Sequence, residues 1–269
     1  MEKRLLHPYL HGDIVYVERE YGSLFALEAT TGKIRWWVDT RATFVEPVFS
    51  DGKVYTVGRL GLFAIDERTG NVIWHVAETN LQNRFRAGPS VANNMVLWPQ
   101  DDAFYAYDAL TGNVVWKLLL SIGPKHGYGI SEPAIVIGEC AYVVEHRPGS
   151  SLLYAVSIET GLLRWQTSLD EIYPRLTVVD GHLVTSLNGL IQIDLETGKV
   201  QENANHLSIN GTTYQFEPKG LYHDTLLAIE ESRNQTRWIV QHPALSEILA
   251  VGNGIVYITA TITGPFYTL

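Results

Sequence analysis

Residues 51–74 read DGKVYTVGRLGLFAIDERTGNVIW and contain the most complete copy of a pattern that recurs along the chain. Its first half places the turn dipeptide Asp51-Gly52 before an apolar run. Its second half joins two further apolar runs through Thr69-Gly70 and ends at Trp74. Short runs of β-branched and aromatic residues that are linked by glycine-containing turns are typical of β-hairpins. The stretch therefore predicts two consecutive hairpins.

The second hairpin recurs along the chain. The pattern Thr-Gly-x-x-x-Trp has its glycine at Gly32, Gly70, Gly112 and Gly161. A fifth copy keeps Thr197-Gly198 but has Glu202 in place of the tryptophan, and a sixth has Asn234 in place of the glycine. Repeats of about 40 residues, each with four short strands, are the sequence signature of β-propeller blades.

The repeats predict an all-β fold, a seven-bladed β-propeller of four-stranded antiparallel blades that occupies residues 1–269 as a single domain. The seventh copy begins at Ser246 and has no Thr-Gly turn, so this last blade is either incomplete or closed by residues 2–6 from the N-terminus. Six or eight blades are the alternatives. We expect the repeated tryptophans to be structural and to lie between adjacent blades, where each buries a large apolar area.

The pattern of Asp51-Gly52, Val54-Tyr55 and Thr69-Gly70 with Trp74 resembles the PQQ-like repeat, the pyrroloquinoline-quinone type of propeller repeat. BamB-type assembly lipoproteins, quinoprotein dehydrogenases and sensor modules of bacterial kinases share it. The quinone-dependent dehydrogenases of this family carry a vicinal disulfide and calcium ligands in a longer chain, whereas Cys140 is the single cysteine here. The resemblance therefore implies the fold, and we predict no cofactor and no metal.

The composition disfavours some classes of binding partner. The net charge is −9, and the 20 lysines and arginines are scattered along the chain. This disfavours nucleic acid as a partner, because phosphate binding needs clustered cations. No apolar run approaches the ~18 residues of a membrane span. The N-terminus lacks a signal-peptide pattern, which predicts a cytoplasmic location, with a removed leader as the alternative. We expect a monomer that binds a protein partner or a small-molecule ligand.

The candidate binding site is the mouth of the propeller channel, because functional residues usually lie on loops. Prolines such as Pro47 and Pro133 precede the innermost strands and align the loops of the successive blades. Glu18 and Glu145 are predicted on the loops between second and third strands. The predicted ligand-binding residues around the mouth are His7, Glu46, Arg59, Arg86, His126, Tyr128, Glu132, His146, Arg175 and Tyr214.

The leading hypothesis for function is a non-enzymatic recognition module that binds a protein segment or a small ligand at the channel mouth. The alternative is a lyase, hydrolase or cyclase that uses a ring of acidic, histidine and arginine side chains. Glu46 and Glu132 would then be the acid and base. The sequence contains no His-Glu-x-x-His, Gly-x-Ser-x-Gly or phosphate-binding glycine motif, so its motifs do not favour the enzyme.

Overall fold

The structure is a computed structural model in which all regular elements of the described residues are β-strands. The chain divides into two compact units, Met1–Ile172 and Tyr173–Leu269. The described residues are 8–19, 22–41, 45–77, 87–100, 103–120, 129–130, 132–169, 176–179, 182–185, 191–202, 206–209, 212–219, 222–230, 232–252 and 255–260.

The described part of the first unit forms four antiparallel sheets of four strands each, and the strands of each sheet pair in chain order. Sheet 1 consists of β1 (Tyr9–His11), β2 (Ile14–Glu18), β3 (Ser23–Glu28) and β4 (Ile34–Asp39). Sheet 2 consists of β5 (Val48–Ser50), β6 (Lys53–Gly58), β7 (Gly61–Asp66) and β8 (Val72–Ala77). Sheet 3 consists of β9 (Ser90–Ala92), β10 (Met95–Pro99), β11 (Ala103–Asp108) and β12 (Val114–Leu119). Sheet 4 consists of β13 (Ile135–Ile137), β14 (Cys140–Arg147), β15 (Ser150–Ser157) and β16 (Leu163–Leu169).

The described residues of the second unit form one four-stranded and one five-stranded sheet. Sheet 5 consists of β17 (Thr177–Val179), β18 (His182–Thr185), β19 (Ile191–Ile193) and β20 (Val200–Glu202). Sheet 6 consists of β21 (His206–Ile209), β22 (Thr212–Lys219), β23 (Tyr222–Glu230), β24 (Gln235–Gly252) and β25 (Ile255–Ala260). The long strand β24 pairs with β23 through its first part and with β25 through its second part.

These sheets confirm the prediction of an all-β fold built from four-stranded antiparallel sheets. The count of seven blades is not confirmed, because the described residues form six sheets. Ser246, the predicted start of a seventh blade, lies within β24, and β25 joins sheet 6 as its fifth strand. The predicted closing strand over residues 2–6 lies outside the described residues. The single domain over residues 1–269 stays a prediction.

The Thr-Gly turns adopt the left-handed backbone conformation that their sequence allows. The φ angle is 69° at Gly32 and 75° at Gly70, and Asn234 takes the same place in sheet 6 with a φ of 50°. The Asp66 carboxylate accepts hydrogen bonds from the backbone N–H and the hydroxyl of Thr69, at 2.7 and 2.6 Å. These bonds favour the ionised carboxylate and lower the pKa of Asp66.

The tryptophans of sheets 1, 2 and 3 each pack against the Thr-Gly turn of the following sheet. The indole N–H groups donate to backbone carbonyl oxygens, from Trp36 to Glu67 at 2.8 Å, from Trp74 to Ala109 at 3.1 Å and from Trp116 to Ile158 at 2.7 Å. A β-carbon placed on Gly70 would lie 2.6 Å from the Cβ of Trp36, so only glycine leaves room for the ring. The predicted structural role of these three tryptophans is confirmed.

Apolar side chains between successive sheets form the core of the first unit. Between sheets 1 and 2 the cluster includes Tyr16, Leu24, Val54 and Ile65, none of which is exposed. Equivalent clusters lie between sheets 2 and 3 and between sheets 3 and 4. The first unit is therefore held together by a repeated sheet-to-sheet interface, to which the outer strands contribute the tryptophans.

Candidate functional site

The innermost strands of the first unit border an open groove of about 680 Å³. This volume lies within the ~300–1,000 Å³ typical of ligand clefts. Each of β1, β5, β9 and β13 ends its sheet, so one backbone edge of each strand is not paired within that sheet. The lining residues are Pro8, Tyr9, Leu10, His11, Glu46, Pro47, Val48, Phe49, Pro89, Ser90, Val91, Pro133, Ala134 and Val136.

Prolines form part of the groove wall in all four sheets, as Pro8, Pro47, Pro89 and Pro133. Proline has a fixed φ and no N–H, so these positions present rigid apolar surface without a hydrogen-bond donor. The hydroxyl of Ser90 donates to the carbonyl oxygen of Ala134 at 2.6 Å, which ties sheet 3 to sheet 4. The groove is therefore a preformed and mostly apolar surface.

The polar groups of the groove concentrate at sheets 1 and 2. The Glu46 side chain is exposed at the groove, and the His11 ring stacks on Phe49 with ring centroids 4.3 Å apart. Burial and the negative charges of Glu18 and Glu46 raise the pKa of Tyr9. This part of the groove is thus electronegative and favours a cationic or hydrogen-bond-donating ligand group.

Glu18 places a buried carboxyl group at the end of β2, close enough to Tyr9 to act on its pKa. The residue is only 1% exposed, and its Oε1 accepts a hydrogen bond from the Thr56 hydroxyl at 3.5 Å. Among the described residues, neither Glu18 Oε2 nor Thr40 Oγ1 has a hydrogen-bond partner. Burial, partly offset by the Thr56 bond, raises the pKa of Glu18 to about 7. Its charge therefore changes near neutral pH.

A second buried carboxylate, Glu145 on β14, is compensated by its neighbours. Its Oε2 accepts hydrogen bonds from the Tyr154 hydroxyl at 2.6 Å and from Arg147 Nη2 at 2.9 Å. Beside it, His146 is buried with its Nδ1 3.3 Å from the Ser151 hydroxyl oxygen. A buried ion pair with further hydrogen bonds is sensitive to loss of either partner, so Arg147 and Tyr154 stabilise the Glu145 carboxylate within sheet 4. The predicted ligand-binding role of His146 stays a prediction.

The structure brings only part of the predicted channel-mouth set to the groove. Glu46 lines it, and Glu132 is exposed directly before Pro133 of the wall. Arg59 is exposed after β6, and its backbone N–H donates to the Arg41 carbonyl oxygen at 3.0 Å. The predicted residues outside the described part of the chain are His7, Arg86, His126, Tyr128 and Arg175. Their role stays a prediction.

Tyr214 lies inside β22 and packs on Trp238, with ring centroids 5.9 Å apart. The same pairing occurs in the first unit between Tyr16 and Trp36 at 5.8 Å and between Tyr55 and Trp74 at 5.9 Å. Tyr214 therefore occupies the position of a recurrent packing tyrosine in its own sheet. The sequence signal for this position is a tyrosine in the second strand of the repeat, shortly after the turn that precedes that strand.

Sequence reasoning missed Tyr9 and His11, which line the groove. It placed Glu18 on a loop, whereas the residue is buried at the end of β2. The available signal was the alternation of Ile14, Tyr16 and Glu18, because every second residue of a strand faces the same side. Tyr9 could have been identified as the first residue after the proline that precedes β1.

Two features associated with other functions are absent from the described part of the chain. No group of three or more histidine, cysteine, aspartate or glutamate side chains is placed there to hold a metal ion. The same ranges contain no helix that is long and apolar enough to cross a membrane. Cys140 is a buried free thiol.

The family follows from a comparison of the whole sequence with known families. The family model described as outer membrane protein assembly factor BamB matches residues 2–202, most of the chain. The chain belongs to this family. The resemblance of its repeats to the PQQ-like propeller repeat is thereby confirmed.

The individual relatives of this BamB family member share less than a third of its residues over the aligned segments. It is 29% identical over 163 residues to the outer membrane protein assembly factor BamB of Burkholderia pseudomallei, which covers 60% of this chain and 41% of that protein. It is 28% identical over 133 residues to quinohemoprotein alcohol dehydrogenase ADH IIB of Pseudomonas putida, which covers 41% of this chain and 19% of that enzyme. The chain thus spans less than half the length of these curated relatives.

Solved structures support the propeller fold of this BamB family member. BamB from Moraxella catarrhalis superposes with a TM-score of 0.63 at 20% identity, covering 93% of this chain and 79% of that chain. Quinohemoprotein alcohol dehydrogenase from Comamonas testosteroni gives a TM-score of 0.59 at 15% identity, covering 93% and 63%. At these identities the likeness shows the fold alone.

Family membership also corrects one prediction. The predicted cytoplasmic location is wrong, because the family and its Burkholderia relative are named as outer membrane protein assembly factors, and the outer membrane belongs to the cell envelope. The prediction depended on the N-terminal residues, which lack a signal-peptide pattern. That local feature does not determine the compartment in which the protein works.

Proposed function

We propose that this chain is a non-enzymatic recognition module that binds an extended protein segment in the groove of its first unit. The groove carries this proposal, since the free edges of four innermost strands meet there beside rigid proline surface. An extended segment can hydrogen-bond to free strand edges, while its alternate side chains lie on apolar surface. The exposed Glu46 carboxylate favours a segment with a lysine or arginine.

The names of the relatives suggest the source of such a segment. An outer membrane protein assembly factor acts on proteins whose strands alternate apolar and polar residues over about ten positions. Before such a barrel closes, each strand has unsatisfied backbone groups and an apolar face. The groove offers strand edges to the backbone groups and apolar surface to the apolar face. The proposed location of the protein is the cell envelope, where these chains are assembled.

The test uses two fluorescein-labelled peptides of about ten residues with the alternating pattern of barrel strands. One has lysine and the other glutamate at the polar positions. Fluorescence anisotropy of the full chain should show saturable binding of the lysine peptide, because its cations face the electronegative part of the groove. Glu46→Lys should weaken this binding roughly tenfold, which corresponds to about 1.4 kcal/mol.

The matched control is Glu159→Lys, the same charge reversal at an exposed position in the outer turn of sheet 4. It changes the net charge equally but lies in a Thr-Gly turn, whose residues do not line the groove. Binding should be unchanged in this variant. The proposal is refuted if neither peptide binds, or if Glu46→Lys and Glu159→Lys weaken binding to the same extent.

A further inference from the structure

One position of the second strand is charged in sheet 1 and apolar in the other three described sheets of the first unit. The strand register identifies this position, because the residue there pairs with a fully buried apolar residue of the third strand. The pairs are Glu18 with Leu24, Val57 with Leu62, Pro99 with Phe104 and Val144 with Leu153. An apolar residue is therefore sufficient for the fold at this position.

The carboxyl group of Glu18 is energetically costly where it lies. The residue is 1% exposed, its Oε2 has no hydrogen-bond partner among the described residues, and its Oε1 accepts a long hydrogen bond from Thr56 at 3.5 Å. Burying such a carboxylate, where sheet 2 has a valine, is unfavourable. Proteins depart from the local pattern of the fold in this way at functional sites. Glu18 is therefore a candidate for a role in binding.

The geometry of sheet 1 places this carboxyl group beside the groove. Tyr9 pairs with Tyr16 in the ladder of β1 and β2, and Glu18 lies two residues further along β2. It is therefore a diagonal neighbour of Tyr9 on the same face of the sheet, a position about 7–8 Å away. Tyr9 lines the groove, and burial together with the charge of Glu18 raises the pKa of its hydroxyl.

A carboxylate at this depth acts on the groove through its charge and not by contact. The surrounding side chains exclude water, and a charge acts more strongly through the protein interior than through water. Glu46 adds a second negative charge on the exposed side of the groove. Both charges act on the Tyr9 hydroxyl, so a cation bound next to Tyr9 would be attracted by both.

We propose that Glu18 is a specificity-determining residue of the groove, which selects a segment with a lysine or arginine next to Tyr9. The inference rests on the proposed function of the groove and names the side chain that the bound segment has at this place. A segment with a neutral side chain there would gain nothing from the charge of Glu18.

The ionisation of Glu18 changes this selection within one protein. Because burial raises the pKa of Glu18 to about 7, its carboxyl group is mostly neutral at pH 6 and mostly charged at pH 8. Glu18 faces Tyr9 of β1 and Thr56 of β6, and the pKa of Tyr9 is raised, so neither of them changes charge in this range. The other titratable residues that line the groove are Glu46 and His11. Histidine titrates between pH 6 and pH 8, so a variant of Glu18 has to separate the two contributions.

The probes are the lysine peptide of the groove test and a third labelled peptide with glutamine at the same positions. Fluorescence anisotropy of the full chain gives the ratio of their two dissociation constants, the lysine preference, at pH 6 and at pH 8. The rise of this preference with pH should be roughly tenfold larger in the wild type than in Glu18→Gln, which corresponds to about 1.4 kcal/mol. Glutamine has no charge at either pH, whereas the contribution of His11 is present in both proteins and cancels.

Two further variants make the comparison specific. Glu18→Val introduces the residue that sheet 2 has at this position, and it should reduce the pH dependence as Glu18→Gln does, so the test does not depend on one replacement. Glu159→Gln removes one negative charge from the exposed outer turn of sheet 4, whose residues do not line the groove. This control variant should keep the pH dependence of the wild type.

The outcomes separate this inference from the proposed function. If the lysine peptide binds and its preference rises equally in wild type and Glu18→Gln, the inference is overturned while the groove keeps its proposed function. An equal loss of pH dependence in Glu159→Gln would also overturn it, because the effect would then be one of net charge. If neither peptide binds to the wild type, the proposed function and this inference are both refuted.

Discussion

Replacing Glu18 by glutamine should make the protein more stable at pH 8 and leave its stability unchanged at pH 4. Glutamine has nearly the shape of the protonated glutamic acid, so the two proteins bury equivalent neutral groups at low pH. At high pH the wild type buries a carboxylate whose Oε2 has no partner among the described residues. Burial of an unpaired charge is unfavourable, and glutamine removes that charge.

The magnitude follows from the rise in the pKa of Glu18, from an ordinary 4.5 to about 7. Because the folded state holds this proton more tightly than the unfolded state, the stability that the proton contributes is complete below pH 4.5 and is lost as the pH rises through 7. Every tenfold difference in proton affinity between the two states corresponds to about 1.4 kcal/mol. The free energy of unfolding of Glu18→Gln, relative to that of the wild type, should therefore rise by about 3 kcal/mol between pH 4 and pH 8.

Urea unfolding followed by tryptophan fluorescence is the suitable assay, since Trp238 is the one tryptophan that lies in the second unit. The signal therefore reports mainly on the first unit, which contains Glu18. The difference in free energy of unfolding between variant and wild type should be near zero at pH 4 and rise through neutral pH. A ¹³C NMR titration of the Glu18 carboxyl group measures the pKa directly.

Glu139→Gln serves as the control, because the Glu139 side chain is 82% exposed and its ion pair with Arg164 is at the surface. Surface ion pairs contribute little to the free energy of unfolding, so the stability of this variant should match that of the wild type across the pH range. The reasoning is refuted if the difference between Glu18→Gln and wild type is the same at pH 4 and pH 8. A difference that moves in favour of the wild type at high pH would also refute it.

Two further predictions concern the interface between sheets 2 and 3. Gly112→Ala should lower the free energy of unfolding by about 2 kcal/mol more than Gly12→Ala, because both glycines have positive φ but only Gly112 faces the Trp74 ring. Thermal denaturation of the two variants tests this prediction. Equal losses of stability would contradict it. Trp74 and Tyr55 both donate to the Ala109 carbonyl oxygen at 3.1 Å, so each single substitution by phenylalanine leaves that oxygen one donor and the double variant leaves it neither. The double variant should therefore lose about 1 kcal/mol more free energy of unfolding than the two single variants together. Strict additivity in the double-mutant cycle would show that the shared acceptor is not responsible.

The parts of the fold that the sequence predicts well are those fixed by local geometry. The turn at Gly70 needs a left-handed residue, and Trp74 follows it at a constant distance, so both are visible as a pattern. The number of sheets was less predictable, because it depends on long-range strand pairing. Nothing local in the sequence indicates that Ser246 continues β24 instead of opening a new sheet.

The site was predicted only in part, for a related reason. Glu46 was found through its proline neighbour, which repeats along the chain. Glu18 was assigned to the loop between the second and third strands of the repeat, but the alternation of β2 places it in the interior. Tyr214 was predicted at the channel mouth by aligning the loops of successive blades, but it lies inside β22, and its partner Trp238 is close only in the folded sheet. Which charged residues are buried depends on contacts between sheets, and these do not follow from spacing.

The repeated contact between an indole and the next glycine turn has a consequence for how such chains evolve. Because Trp36, Trp74 and Trp116 contact the next turn in the same way, sheets 2 and 3 each have one face that fits a successor and one that fits a predecessor of this type. Gene duplication or in-frame deletion of one whole repeat would bring two compatible surfaces together, for example Trp36 against Gly112. Members of the family can therefore differ in length by whole repeats without the invention of a new interface.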